Sequence, residues 1–187
     1  MRLQHSAWVF DKALNKATCD ELIRIGNEQI IEEATVDGGK QPAKKTRICK
    51  TGWIYDPYIM DQIMEYVSTA NVQAGWNFDY DTPQAIQFTK YEVGSHYNWH
   101  RDTNTDLSKT GDATRKISIT INLNDDYEGG DLEIDSEDHY WTKNSRKVRS
   151  GLGNIAVFPS DTYHRVTKVT KGTRYSLVVW VMGEPWR

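Results

Sequence analysis

The chain reads as mainly β with flanking helices: an antiparallel jelly roll whose N-terminal helices pack on the outer face of one sheet. Three observations predict this. Two helical patterns fill the N-terminal part and then stop. From about residue 83 the apolar period switches from helical to alternating. The strands that follow are short, numerous and separated by turn signals, as a closed or double-sheet β architecture requires. At 187 residues the chain suits one domain with a real core. Residues 1–82 form the N-terminal helices and supporting strands, and residues 83–187 the jelly-roll core.

Each element has a local cause. Thr18-Cys19-Asp20-Glu21 matches a capping box, with Thr18 as N-cap. Cys19, Leu22, Ile23, Gly26 and Ile30 then recur at helical spacing, and Gly26 permits a close approach to the sheet. Val36-Asp37-Gly38-Gly39-Lys40 is a turn. The 40–50 segment carries Lys40, Lys44, Lys45, Arg47 and Lys50, and reads as a solvated basic strand or loop. The sharper alternative is a docking strip for an acidic partner or a phosphate backbone. Asp56 caps a second helix with Pro57 at its first position, and Ile59, Ile63, Tyr66, Val67 and Ala70 form its stripe.

The strands begin with Ala85 to Tyr91. After Asp102, the polar stretch from Thr103 to Gly111 reads as a loop that closes over substrate. Arg115 to Leu123 is the cleanest strand: Ile117, Ile119 and Ile121 face one way, and Ser118, Thr120 and Asn122 the other. Tyr127 to Asp131 turns into Leu132-Glu133-Ile134, and Lys143 to Arg149 is a basic connection. Gly153 to Phe158 is a strand stopped by Pro159, His164 sits on a short strand, and Gly172 to Met182 is the last long one. The face carrying Ser118, Thr120 and Asn122 is too polar for a dry interior. It either faces solvent or lines a ligand pocket, and with the Ile face on the helices the pocket is the preferred reading.

Composition narrows the classes. A net charge of −3 argues against bulk electrostatic capture of nucleic acid. The longest apolar run, Leu177 to Met182, is a strand, and Met1 to His5 carries no signal-peptide core, so the expected location is cytoplasmic, with no membrane. Cys19 and Cys49 form no CxxC pair and are expected to be reduced, Cys19 with a packing role. The 7 Trp and 10 Tyr suit a strand-rich fold and equally a concave binding surface.

The chemistry centres on His100-Arg101-Asp102. On an extended strand residues i and i+2 share a side, so the imidazole and the carboxylate can meet one ion. His-x-Asp alone is a weak signal. His164 offers a third ligand, and two histidines with one carboxylate leave open positions suited to non-haem Fe(II) oxygenases. Arg174 follows His164 by ten residues and shares a strand face with Ser176.

These pieces, in this order, resemble the Fe(II)/2-oxoglutarate-dependent oxygenases of the prolyl 4-hydroxylase-like group, which includes the PKHD-type hydroxylases. The matching segments are Gln87-Phe88-Thr89-Lys90-Tyr91, His100-Arg101-Asp102, Glu128-Gly129-Gly130-Asp131-Leu132, Phe158-Pro159-Ser160, His164 and Arg174-Tyr175-Ser176. The resemblance runs from Ala85 to Val181, and more loosely over the helix after Phe10 to Leu14. It implies a double-stranded β-helix fold. It also implies Fe(II) on His100, Asp102 and His164, which would then be the catalytic residues, and 2-oxoglutarate on the iron. Arg174 would hold the distal carboxylate, with Tyr91, Ser176, Thr120 and Asn122 completing the pocket. O2 is then a co-substrate, ascorbate an accessory reductant, and succinate and CO2 the products beside a hydroxylated C–H. Collagen-type relatives usually carry Lys where this chain has Arg174, which argues against a collagen-type assignment.

The implied substrate is a protein or peptide, proline foremost, met by Tyr97, Trp99, Tyr127, Tyr140 and Trp141. Core or rim packing is the bland reading of each of these aromatics. Nucleic-acid demethylases of the AlkB type share the fold but carry a second Arg where this chain has Trp180, so nucleic acid is a minority reading, as is a small molecule. A zinc hydrolase would leave Arg174 and Tyr91 without a task. A non-catalytic jelly-roll binding module would need no metal.

Overall fold

The computed structural model describes residues 5–29, 32–33, 35–36, 41–42, 46–103, 113–135, 145–148 and 151–185. In chain order the elements are β1 (Trp8–Phe10), α1 (Lys16–Glu28), β2 (Glu32–Glu33), β3 (Thr35–Val36), β4 (Gln41–Pro42), β5 (Arg47–Ile48), β6 (Lys50–Ile54), α2 (Pro57–Gln73), β7 (Ile86–Tyr91), β8 (His96–His100), β9 (Thr114–Asn122), β10 (Glu128–Gly129), β11 (Leu132–Asp135), β12 (Ser145–Lys147), β13 (Ile155–Pro159), β14 (His164–Val166), β15 (Val169–Lys171) and β16 (Arg174–Gly183). Among them a major sheet runs β1-β13-β9-β16-β7-β6-β2, and a minor sheet runs β12-β11-β14-β8-β5. Every strand pairing is antiparallel. This is the expected jelly roll, with both helices on the outer face of the major sheet.

Alternation explains the layering. Ile117, Ile119 and Ile121 of β9, with Leu177, Val179 and Val181 of β16, pack against Leu22 of α1 and Ile63, Val67 and Ala70 of α2 in one buried core. The opposite side chains of the same strands face the minor sheet. Register sets them in rows: Asn122, Ser176 and Thr89 are cross-strand partners, as are Thr120, Val178 and Gln87. The polar face therefore does line the space between the sheets.

The first helix starts one turn earlier than the capping box placed it. Asn15, not Thr18, is the N-cap, and its side chain accepts from the Thr18 amide at 2.9 Å. Asn caps at least as well as Thr, and Glu21 is engaged by Arg24 instead. Asp56 caps α2 as expected, accepting from the Ile59 amide at 3.1 Å, with Pro57 in the first turn. Gly26 is where α1 meets the sheet. A Cβ there would run into the Phe88 ring. We expect Gly26→Ala to lower stability by about 1–3 kcal/mol through overpacking, despite a helix-propensity gain of about 1 kcal/mol. A denaturant midpoint at or above that of the parent protein would contradict this.

Three other differences bear on the site. The last strand is preceded by β15, which pairs with β10 and was hidden in the short run between His164 and Gly172. β13 begins at Ile155 rather than Gly153, and it ends at Pro159, opposite Ile117, as expected. Of the basic 40–50 segment, Lys50 pairs with Glu92 at 3.0 Å, but Arg47 is half-buried and bonds to Gln87. Lys40, Lys44 and Lys45 lie outside the described residues. So do the Asp37–Lys40 part of the expected turn, most of the loop from Thr103 to Gly111, and both Tyr140 and Trp141. No helix among the described residues is long and apolar enough to cross a membrane.

Candidate active site

His100 ends β8 and His164 opens β14, and the two are direct cross-strand partners. Their rings lie 4.1 Å apart between centroids. Each Nδ1 sits within hydrogen-bond reach of the carbonyl two residues earlier: Asn98 O at 2.8 Å for His100 and Thr162 O at 2.9 Å for His164. A carbonyl only accepts, so each Nδ1 carries the proton and each Nε2 presents its lone pair. Asp102 follows the strand rather than lying in it. Its amide and that of Thr103 donate to Ser160 O at 2.9 and 3.0 Å, which fixes the turn. The carboxylate stands 3.5 Å from both Nε2 atoms. Ser118 Oγ donates to Oδ2 at 2.7 Å and lies 2.8 Å from Ser160 Oγ. Among the described residues this trio offers three ligand atoms within 4.8 Å of one another.

Electrostatics suit the trio to a cation. Burial pushes the Asp102 carboxyl up, but His164, His100 and the Ser118 hydroxyl together hold it well below the usual carboxylate range. Burial, then His100, lowers the His164 pKa from its ordinary 6.5 to about 4, against the opposing pull of Asp102. At neutral pH the site holds one anion and a neutral His164. A depressed native pKa means that the unfolded chain takes up a proton the native His164 refuses. The metal-free protein should therefore lose stability as pH falls from 6.5 to about 4. Melting temperatures across that window should drop in the parent protein and drop less in His164→Gln; equal slopes would contradict the assignment.

A second pocket lies along the same face. Arg174 and Tyr91 are cross-strand partners, and the guanidinium carbon sits 5.4 Å from the Tyr91 ring centre. Arg174 is 1% exposed. Its Nη1 donates to Ser176 Oγ at 3.0 Å, while its Nε and the nearby Thr89 Oγ1 have no partner among the described residues. No carboxylate among the described residues pairs with it. A buried guanidinium held only by a hydroxyl and a ring is costly unless an anion completes it. Gly130 makes room for the Arg174 stem, since a Cβ there would sit 3.1 Å from Arg174 Cδ. The donor set fits a carboxylate against Arg174 and a divalent ion against the trio.

The other expected residues divide. Asn122 is 3% exposed and fully engaged. Its amide donates to Asn124 O at 2.6 Å and Gly151 O at 3.3 Å, and its carbonyl accepts from Tyr127 OH at 2.9 Å. Tyr127 thus lies at the Arg174 end of the cavity, not at its mouth. Thr120 shares the inner face, one row from Ser176. A register shift in the β8–β14 pairing sets Tyr97, not Asn98, opposite Val166. That bulge turns Tyr97 toward the metal trio, where its ring stacks on His100 at 3.5 Å. Trp99 points the other way. It stacks on Tyr163 at 5.7 Å, under Arg165 at 4.9 Å, on the outer face of the minor sheet. That placement turns it away from the metal trio.

Several neighbours carried no sequence signal. Arg47 Nη2 donates to Gln87 Oε1 at 2.8 Å, its Nε lies 3.0 Å from Cys49 Sγ, and its guanidinium lies over Tyr97 at 4.9 Å. Arg115 donates to Gln84 Oε1 at 2.8 Å and lies over Trp180 at 3.9 Å. Cys49 and Cys19 are free and buried.

Comparison with known proteins agrees with this geometry. Residues 86–182 match the family model described as the 2OG-Fe(II) oxygenase superfamily. A PKHD-type hydroxylase of Synechococcus sp. strain CC9311 is 30% identical over 178 residues, which is 90% of this chain and 74% of that protein. One from Gloeothece citriformis is 35% identical over 97 residues, 52% of this chain and 42% of that protein, so there the match spans under half of the relative. Among solved structures, a Pseudomonas putida prolyl-4-hydroxylase superposes with TM-score 0.72 at 22% identity, covering 97% of this chain and 94% of that one. A Trichoplax adhaerens prolyl hydroxylase, solved with a hypoxia inducible factor oxygen degradation domain peptide fragment, superposes with TM-score 0.68 at 15% identity, covering 94% and 83%. At these identities the structural likeness establishes the fold.

Proposed function

Because the chain belongs to the 2OG-Fe(II) oxygenase superfamily, we propose that it hydroxylates a peptidyl residue, proline foremost, using Fe(II), 2-oxoglutarate and O2. The observation that carries this reading is the His100–Asp102–His164 trio on one face of a cavity whose other end holds the buried Arg174. Bound Fe(II) and 2-oxoglutarate together supply, with O2, the power to convert a C–H into a C–OH while succinate and CO2 leave.

The chain's own residues do the rest. His100 and His164 give Nε2, each oriented by its Nδ1–H on a backbone carbonyl. Asp102 gives a carboxylate that Ser118 steadies. Arg174 receives the distal carboxylate of the co-substrate, with Tyr91 and Ser176 beside it and Thr120 on the same face. Asn122 acts one step back by holding Tyr127. Tyr97 and Phe158 pack on the imidazoles and exclude water from the metal side. Tyr97 is also the aromatic best placed to meet substrate. Peptide as the substrate class is supported by the peptide in the Trichoplax complex and by the names of the prolyl hydroxylase neighbours. The free, buried Cys19 and Cys49 fit a reducing cytoplasm. Succinate release over a proline-containing peptide array tests the reading. Hydroxylated peptides support it; release stimulated only by oligonucleotides overturns it.

A further inference from the structure

Two guanidinium groups remain that neither the metal trio nor the Arg174 pocket uses. Arg47 comes from β5, at the edge of the minor sheet, and Arg115 from β9 of the major sheet. Arg47 is bound to Gln87 Oε1 at 2.8 Å and Cys49 Sγ at 3.0 Å. Arg115 is bound to Gln84 Oε1 at 2.8 Å and the face of Trp180 at 3.9 Å. Every one of these partners is neutral. No ion pair joins either guanidinium to a carboxylate among the described residues. A third donor adds to them: the Trp180 Nε1–H is buried and has no hydrogen-bond partner among the described residues.

Each of these donors neighbours a residue that packs on or holds the metal trio. Arg47 lies over the Tyr97 ring, whose stacking on His100 leads to the trio. Arg115 is within electrostatic reach of Tyr97 and of Asp102. Trp180 is the cross-strand partner of Ser118, which holds Asp102. Charge accounting then points outward. Divalent iron, the Asp102 carboxylate, doubly charged 2-oxoglutarate and Arg174 neutralise one another, which leaves Arg47 and Arg115 without a counter-charge. Half-buried cations attract an anion, and two planar forks are shaped for a carboxylate.

We propose that Arg47 and Arg115 form a carboxylate clamp for the substrate, so that the hydroxylated carbon lies next to an acidic group. The inference rests on the oxygenase reading above and narrows its substrate. The carboxylate comes either from an Asp, Glu or C-terminus of a peptide, or from the α-carboxylate of a free acid.

The test uses probes that differ only in that charge. Proline-containing heptapeptides with Glu beside the proline are compared with their Gln counterparts, all amidated at the C-terminus. A second pair of peptides carries a free or an amidated C-terminus, and L-proline is set against L-prolinamide. Binding is read by calorimetry without oxygen, in protein loaded with Fe(II) and 2-oxoglutarate, and hydroxylation by mass spectrometry. The charged member of at least one pair should bind at least tenfold more tightly than its amide. Gln87→Glu and Gln84→Glu should erase that preference, because each places an internal carboxylate on its arginine with little change of shape. Arg115→Gln should erase it as well, and unchanged melting curves in any one of the three variants keep the result interpretable.

A preference confined to free L-proline supports the clamp and overturns the peptidyl reading. Equal binding of the charged and amide members of all three pairs, with hydroxylated peptides, overturns the clamp and leaves the peptidyl reading intact. A preference that survives in folded Gln87→Glu and Gln84→Glu also overturns the clamp. Binding of no probe by protein that still decarboxylates 2-oxoglutarate overturns both.

Discussion

Asp102→Ala should abolish Fe(II) binding and reduce hydroxylation by at least about a thousandfold. Disturbing a group that merely orients a ligand typically costs 10–100-fold in metal affinity, and Asp102 is a direct ligand and the trio's one anion. Its carboxylate stands 3.5 Å from both Nε2 atoms, so its loss leaves two neutral imidazoles facing each other. Asp102→Asn separates charge from shape. The amide oxygen can still accept from Ser118, so the fold should hold while Fe(II) affinity falls nearly as far. Equilibrium dialysis with Fe(II) under nitrogen measures both variants. Binding within a few-fold of the parent protein would remove Asp102 from the ligand set.

Arg174→Ala should raise the 2-oxoglutarate KM by about 30-fold or more, because truncating one partner of a buried charge pair typically costs about 2–5 kcal/mol. Fe(II) affinity should change little. That asymmetry is the content of the prediction: Arg174 lies at the far end of the cavity and touches Tyr91 and Ser176 rather than the trio. Arg174→Lys should restore part of the loss, since the ammonium keeps the charge but not the fork. Equal loss of Fe(II) and 2-oxoglutarate binding in Arg174→Ala would make the residue a structural support.

Much of this site was legible because it is written in local patterns. The strict alternation of Ile117, Ile119 and Ile121 with Ser118, Thr120 and Asn122 gave away a sheet with a wet inner face, and the cross-strand rows bear it out. His100 and Asp102 were grouped as i and i+2 of a strand. Their proximity is real, but its cause is different: β8 ends at His100, and Asp102 is brought in by its backbone bond to Ser160. What remained hidden depends on long-range register. No local signal marks the bulge that turns Tyr97 in and Trp99 out. Arg47 looked like one more charge in a basic run, and only its pairing opposite Tyr97 brings it into the cavity. The same limit explains Asn122, which fits a ligand pocket by pattern but is consumed by Asn124, Gly151 and Tyr127.

The central claim is that one face of this cavity holds iron and 2-oxoglutarate together. Anaerobic titration of the protein with Fe(II) and then 2-oxoglutarate, followed by visible absorption, tests it most directly. A weak charge-transfer band that saturates at one equivalent of each, and is absent in Asp102→Asn, is the predicted result. No band from folded parent protein at saturating Fe(II) and 2-oxoglutarate would contradict it.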